Sequence, residues 1–200
     1  VDRYKNKKYQ LLFNTKDKIY MLDRNGKNVE GYPVKFKDEI CQPLSLLDYD
    51  NNRNYRIFVP QSNGSIQCLD IAGKFVKGWK FKNSKPLIKP LIYARLNKKD
   101  YLIGLQNNGA LKIVNRKGET RLKLKRKLET FPNSSFSIEK GKDLSSTYLI
   151  CSDSNGVVYR LSLKDKLETA QIKQTEGLDA FDLLDINFDG KLDYCFTDKN

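Results

Sequence analysis

Short apolar runs alternate with polar turns along this chain, and the alternation has a fixed period. The runs LLF (Leu11–Phe13), RIFV (Arg56–Val59), LIG (Leu102–Gly104), LIC (Leu149–Cys151) and CF (Cys195–Phe196) each follow a tyrosine, at Tyr9, Tyr55, Tyr101, Tyr148 and Tyr194. Those tyrosines stand 46, 46, 47 and 46 residues apart. A second apolar column, Ile19, Ile66, Leu111 and Val158, and a third, Leu22, Leu69, Val114 and Leu161, keep nearly the same steps. Independent columns that agree on one period mark an array of like units.

The turns between the runs say what each unit is. Asn63-Gly64, Asn108-Gly109 and Asn155-Gly156 separate two apolar runs in three copies, and Asp17-Lys18 takes that place in the first. Asn-Gly tolerates positive φ, so a two-residue hairpin is expected at each. A further turn carries Gly26, Gly73 and Gly118, with Asp165 in the fourth copy. The runs are nearly continuous rather than alternating, which suits strands covered on both faces. A tyrosine at a strand start offers an apolar body to a packed layer and a hydroxyl to water. Nothing follows the 3.6-residue rhythm of a helical repeat.

The predicted fold is therefore all-β, a β-propeller of four-stranded blades of about 46 residues. A partial blade spans 1–41, whole blades span 42–88, 89–134 and 135–178, and a partial blade spans 179–200. Strands of the second blade are expected at Leu44–Asp48, Tyr55–Gln61, Ser65–Ile71 and Phe75–Lys82. The third blade's strands run from Leu91 to about Leu124, and the fourth's from Phe136 to about Lys173. The first unit lacks its innermost strand and the fifth holds two, for 17 in all. About four blades are present, which reads as part of a larger ring. The turns before the tyrosine strands, Asp48–Asn54 and Leu96–Asp100, and the Asn-Gly turns at the other end are the expected contact segments.

Composition narrows the chemistry. With 39% apolar residues the chain can bury a core, and no run is long enough for a membrane helix. The 37 Lys and Arg outweigh 24 Asp and Glu, for a net charge of +13. Most of these cations are scattered, but Arg121–Lys127 is dense. On an outermost strand, Arg121, Lys123 and Lys125 would line one face, guarding an exposed edge or offering a patch to nucleic acid or anionic lipid. Cys41, Cys68, Cys151 and Cys195 have no CxxC spacing and read as buried free thiols. The chain contains no histidine, which removes His-based triads, His general bases and His metal ligands. It has no GxGxxG, Walker or GxSxG motif either. No enzyme is expected.

The segments KIYMLDRNGK (Lys18–Lys27), SIQCLDIAGK (Ser65–Lys74) and ALKIVNRKGE (Ala110–Glu119), with Gly31-Tyr32 and Gly78-Trp79, resemble the pyrroloquinoline-quinone-like propeller repeat. Catalytic members of that superfamily use a Trp platform, calcium ligands and often adjacent cysteines. Here Trp79 is the only Trp and no two cysteines adjoin, so the resemblance is to the non-catalytic branch. That branch includes the lipoprotein scaffold of the bacterial outer-membrane assembly machinery. The phrases NGKNVEGYP and LLDYDNNRNYRIF are also similar to propeller regions of large envelope proteins of Bacteroidota. These likenesses imply an extracytoplasmic address, periplasmic or associated with the outer membrane.

A second resemblance lies near the C-terminus, where Asp185, Asn187, Asp189, Gly190 and Asp193 match the Asp-rich calcium loop of FG-GAP propeller repeats. It implies oxygen ligands from Asp185, Asn187, Asp189 and Asp193 and from the Lys191 carbonyl, around a structural Ca²⁺. Asp48, Asp50, Asn52 and Asn54 form a shorter counterpart without the glycine. The same residues also make a good self-bonded turn. The functional expectation is a non-enzymatic scaffold for protein–protein interaction in an envelope complex. A Ca²⁺-binding adhesin or carbohydrate-binding propeller and a basic nucleic-acid-binding propeller are the alternatives. Neither nucleic acid nor a small-molecule substrate is the expected partner.

Overall fold

A computed structural model describes residues 1–172 and 177–198. The expected end of the fourth unit near Lys173, and Lys199 and Asn200 of the fifth, lie outside the described residues. Among the described residues there is no helix, hence none long and apolar enough to cross a membrane. Among the described residues, sixteen strands form five small sheets, and within each sheet neighbouring strands are sequential and antiparallel. The chain divides into two compact units.

The first unit holds residues 1–91 and 117–119. Its first sheet joins β1 (Leu11–Asn14), β2 (Lys18–Leu22) and β3 (Val34–Lys35), and its second joins β4 (Ser45–Leu47), β5 (Arg56–Pro60) and β6 (Ile66–Asp70). Ile19 and Met21 of β2, Ile57 and Val59 of β5, and Leu69 of β6 are buried in one core with Val29, Tyr32, Phe36 and Ile40. Burying each such side chain contributes about 1.5–3 kcal/mol. The near-continuous apolar run of β5 is explained by burial on both faces, since Phe58 is buried too, against Trp79 at 5.3 Å between ring centroids. β1 differs, with Leu11 and Phe13 exposed on one face.

The outer strand expected over Phe75–Lys82 does not form. Leu69 and Phe75 make a single bridge, the chain turns at Lys77-Gly78, and the Trp79 indole Nε1 donates to the Ile66 carbonyl at 2.6 Å. Backbone pairing at that edge thus stops after Val76 N–H donates to the Cys68 carbonyl, and the indole takes the next carbonyl. The second sheet accordingly has three strands, and the described residues hold sixteen strands where seventeen were expected.

The second unit holds residues 92–116 and 120–200. Its sheets are β7 (Ile92–Leu96) to β10 (Thr120–Leu122) through β8 (Lys99–Leu105) and β9 (Leu111–Val114); β11 (Ser137–Glu139) to β14 (Leu167–Gln171) through β12 (Tyr148–Ser152) and β13 (Val157–Ser162); and the pair β15 (Leu178–Leu184) and β16 (Asp193–Asp198). β8 and β12 are buried along most of their length, whereas β16 is largely exposed. Phe181 and Leu183 of β15 pack with Ile150 and Val158.

The repeat is visible as contact between equivalent positions. Within the first unit the Cys41 thiol and Ser45 hydroxyl point at the carbonyls of Leu87 and Leu91, each 46 residues on. Within the second, the Asn133 amide donates to the Asp179 carbonyl, again 46 residues on. All four cysteines are free, but Cys41 and Cys195 are only half-buried, and Cys41 lies outside any strand.

The Asn-Gly turns differ from expectation. Only the glycines, Gly64, Gly109 and Gly156, take positive φ (81°, 78° and 81°), while their asparagines do not. Gln61 N–H donates to the Ser65 carbonyl and Gln106 N–H to that of Ala110, so each loop holds three residues, with glycine last. This is the longer hairpin whose bulge needs a left-handed final residue. The glycine is required twice. A Cβ on Gly64 would fall 1.8 Å from the Ser84 carbonyl oxygen, because the chain returns across the turn and Ser84 N–H donates to the Gly64 carbonyl. The Leu128 and Ile172 amides cap Gly109 and Gly156 in the same way. These turns, expected as contact segments, have their glycines covered by their own chain.

Candidate functional site

In a meander sheet the first and third connections lie at one end and the second at the other. In the first unit, one end therefore gathers the Asp48–Asn54 loop, the Asp70–Lys74 turn and their counterparts in the first sheet. The Asp48 loop is organised by its carboxylate. Asp48 Oδ1 accepts the Asn52 amide and Oδ2 the Arg53 amide, and Asn52 Oδ1 accepts the Asn54 amide. Asn51 and Arg53 sit at φ of 51° and 62°.

Asp2 builds the same loop one repeat earlier. Its carboxylate accepts the amides of Asn6 and Lys7, Asn6 Oδ1 accepts that of Lys8, and Lys5 and Lys7 take positive φ. Sequence reasoning did not single out Asp2. The signal was present, since DRYKNKKY and DYDNNRNY share Asp, Asn, a cation and Tyr at matching places 46 residues apart. The two loops are tied together: Arg53 Nη1 lies 3.1 Å from Asp2 Oδ2, and Lys5 Nζ donates to Asn54 Oδ1 at 3.0 Å.

Beside this junction lies an open pocket of about 330 Å³ lined by Asn54, Tyr55, Arg56, Asp70, Ile71 and Ala72. Asp70 Oδ1 accepts the amides of Ala72 and Lys74, and Asp23 does the same for Asn25 and Lys27. Tyr32 donates its hydroxyl to the Ile71 carbonyl, and burial pushes its pKa up to about 12, so it stays a neutral donor. The Arg3 guanidinium packs against the rings of Tyr4 and Tyr32 at 5.5 and 6.0 Å. Of the expected residues here, Asp48 and Asn52 are spent on the loop, Asn54 faces the pocket, and Asp50 is an exposed loop residue.

The other expected segments belong to the second unit. Leu96–Asp100 narrows to a two-residue turn, with Asn97 and Lys98 at φ of 47° and 61°. Asp100 is buried and holds the Tyr93 hydroxyl and the Arg116 guanidinium, so only the tip is presented. In the basic run, β10 ends at Leu122, so Arg121, Lys123 and Lys125 do not alternate along one strand. Arg121 turns onto the Tyr101 ring at 5.4 Å, Lys123 and Lys125 are exposed, and the amides of Lys125 and Arg126 donate to the Asp165 carboxylate.

The Asp185 loop repeats the Asp2 and Asp48 pattern. Asp185 accepts the amides of Asp189 and Gly190, Asp189 Oδ1 accepts that of Lys191, and Phe188 and Gly190 take positive φ. Asn187 Oδ1 accepts the Asp189 amide and its Nδ2 points at Asp189 Oδ2, while Asp193 Oδ2 accepts the Ile186 amide. Among the described residues, no three acidic, Cys or His side chains converge on one point. As placed, the donors serve the loop backbone, and a cation would require Asn187 and the carboxylates to turn inward together.

No protein-family model matches the sequence, and no curated protein does. Solved structures do match. A crystal structure of BBS1N in complex with ARL6DN, soaked with mercury, is similar at 14% identity and TM-score 0.67, over 94% of this chain and 58% of that one. The lead-soaked form of that complex matches at 15% and 0.58, over 87% and 52%. The computationally designed Ika8 protein matches at 12% and 0.52, over 93% and 57%. The chain spans a little over half the length of each. At such identities the likeness bears on architecture alone, and with the five small antiparallel sheets it establishes an all-β, propeller-like fold.

Proposed function

We propose that this chain is a non-catalytic platform that presents the loop end of its first unit to a protein partner, within a larger envelope-associated protein or complex. One observation carries the reading: the Asp2 and Asp48 loops are clamped to each other by Arg53, beside a pocket, so the surface is preorganised. Two similar structures hold BBS1N with ARL6DN, so a fold of this kind supports binding of another protein. Membership of the pyrroloquinoline-quinone-like repeat superfamily, and with it an extracytoplasmic location, is supported by the Leu-Asp, Gly-Lys and Gly-Trp columns of the sequence. The test is mild crosslinking in cells that make the protein, with linked sites mapped by mass spectrometry. Links from Lys5, Lys7 and Lys8 to another protein are expected. Recovery of the protein as an uncrosslinked monomer overturns the proposal.

A second reading, a structural Ca²⁺ in the Asp185 loop, has its own support. Asp2 is neutralised by Arg53, whereas Asp185, Asp189 and Asp193 have no ion-pair partner among the described residues. A divalent cation would relieve that repulsion. Calorimetric titration with Ca²⁺ that yields no heat removes it.

A further inference from the structure

Charge at the loop end of the first unit is sorted by direction. The segments 2–8, 23–30, 48–56 and 70–74 carry nine Lys and Arg against six Asp and Glu. Four of those acids, Asp2, Asp23, Asp48 and Asp70, aim their oxygens at amides of their own turns. Of the cations, Arg53 is paired with Asp2, and four others are held differently. Arg3 Nη1 donates to the Glu30 carbonyl at 2.7 Å, Lys5 Nζ to the Asn54 side-chain oxygen at 3.0 Å, Arg24 Nη2 to the Lys7 carbonyl at 3.3 Å and Arg56 Nη1 to the Tyr55 carbonyl at 3.1 Å.

All four acceptors are neutral oxygens. Each fixes its cation in place without cancelling the charge, and each cation keeps further N–H donors to offer. Several cations of the second unit are instead paired with acids, although Arg126 also donates to a neutral carbonyl, that of Asp165. Arg160 is paired with Glu139 and Glu168, Arg116 with Asp100, and Lys166 with Glu168. Two of the four first-unit cations flank the pocket, Arg56 as a wall and Lys5 through its bond to Asn54, and Arg3 is joined to it through Tyr32 and Ile71. Asp70 is the one carboxylate in the pocket wall, and it accepts two backbone amides.

From this arrangement we infer that the loop end of the first unit docks an acidic segment of a partner protein, whose carboxylates pair with Arg3, Lys5, Arg24 and Arg56 around the pocket. The inference rests on the platform reading and names the chemistry of its partner. Arginine forks match carboxylates in two-point geometry, and a field of one sign steers an oppositely charged segment to the surface. A pocket with tyrosine and alanine in its wall suits a side chain of a folded or extended peptide rather than a continuous phosphate track.

The probe is a fluorescein-labelled ten-residue polyglutamate, titrated with the full chain by fluorescence anisotropy in low salt. Binding is expected, and it should weaken steeply as salt rises. The double variant Lys5→Gln/Arg56→Gln should bind about tenfold more weakly, because two charge-assisted bonds are lost. Lys123→Gln/Lys125→Gln, in the basic run of the second unit, should bind as the parent does. Both variants alter partly or fully exposed side chains, and unchanged melting curves verify that they fold. The inference is overturned if polyglutamate does not bind, if the basic-run variant loses the binding, or if single-stranded DNA of equal charge binds more tightly. Loss of polyglutamate binding with the crosslinked partner still present sinks this inference and leaves the platform reading standing. Loss of the crosslinked partner sinks the platform reading itself.

Discussion

Arg53 reaches across one repeat to Asp2, with Nη1 3.1 Å from Oδ2, and the two ends of that bond live in different environments. The Asp2 side chain is 2% exposed and that of Arg53 is 39% exposed. Asp2 also holds the backbone of its own loop, so the ion pair, with the Lys5–Asn54 bond beside it, joins two loops each closed by its own carboxylate. Arg53→Ala leaves a buried carboxylate with only amide donors. Discounted for the solvent that reaches Arg53, the expected loss is about 1–2 kcal/mol. Urea midpoints of Arg53→Ala, Asp2→Asn and the double variant check it. A double-mutant cycle with no coupling would show that the clamp does not hold the loops.

Gly64 and Gly26 separate two costs that usually come together. Both take positive φ, 81° and 74°, but a Cβ on Gly64 meets the Ser84 carbonyl oxygen whereas one on Gly26 meets nothing within 4 Å. Gly26→Ala should cost only the left-handed strain, about 1 kcal/mol. Gly64→Ala should cost that plus displacement of the returning chain, about 3 kcal/mol or more. Equal shifts in urea midpoint would mean the chain after Ser84 moves away freely.

Asp143 gives the protein a specific acid response. Its carboxyl is pushed down to about 2, first by the Ser145 hydroxyl and then by the amide and hydroxyl of Ser146. The folded value lies below the ordinary carboxylate range, so this stabilisation is fully present above about pH 4 and drains away as pH falls towards 2. Asp143→Asn should flatten the stability profile in that window, and an NMR titration of the carboxyl should give a midpoint near 2. A midpoint near 4 would mean that the serine donors do not hold it.

The Asp185 loop decides the calcium question. If it binds Ca²⁺, the melting temperature should rise with added Ca²⁺ and fall back with chelator, and Asp189→Ala should abolish both effects. An unchanged melting temperature means the loop stands on its own Asx bonds, as the Asp2 and Asp48 loops do.

Cysteine reactivity should be uneven. Burial pushes the Cys68 thiol up to about 12, so at pH 8 its thiolate fraction is roughly 10⁻⁴ and iodoacetamide should reach it only on unfolding. The folded thiol keeps its proton where the unfolded one loses it, so stability should fall as pH rises through the range from about 9 to 12. The half-buried Cys41 and Cys195 should label before the buried Cys68 and Cys151, as read by peptide mass spectrometry.

The one-dimensional pattern determined the repeat, because strand and turn are chosen by neighbours along the chain. The runs of β5, β8 and β12 and the positions of the glycine turns are local events and fell where the period placed them, whereas the end runs of β1 and β16 stayed largely exposed. Even the Asp loops are written there, since Asp, Asn and a left-handed residue close them without outside help. Tertiary structure decided what a single period cannot express. It made the Asn-Gly turns three residues long and covered them with returning chain. It replaced one outer strand with the Trp79 indole and folded Arg121 onto Tyr101. It also set which of two near-identical loops buries its carboxylate and which supplies the guanidinium. Those outcomes depend on what the neighbouring sheet brings within a few ångströms, and equivalent residues in successive repeats do not share the same neighbours.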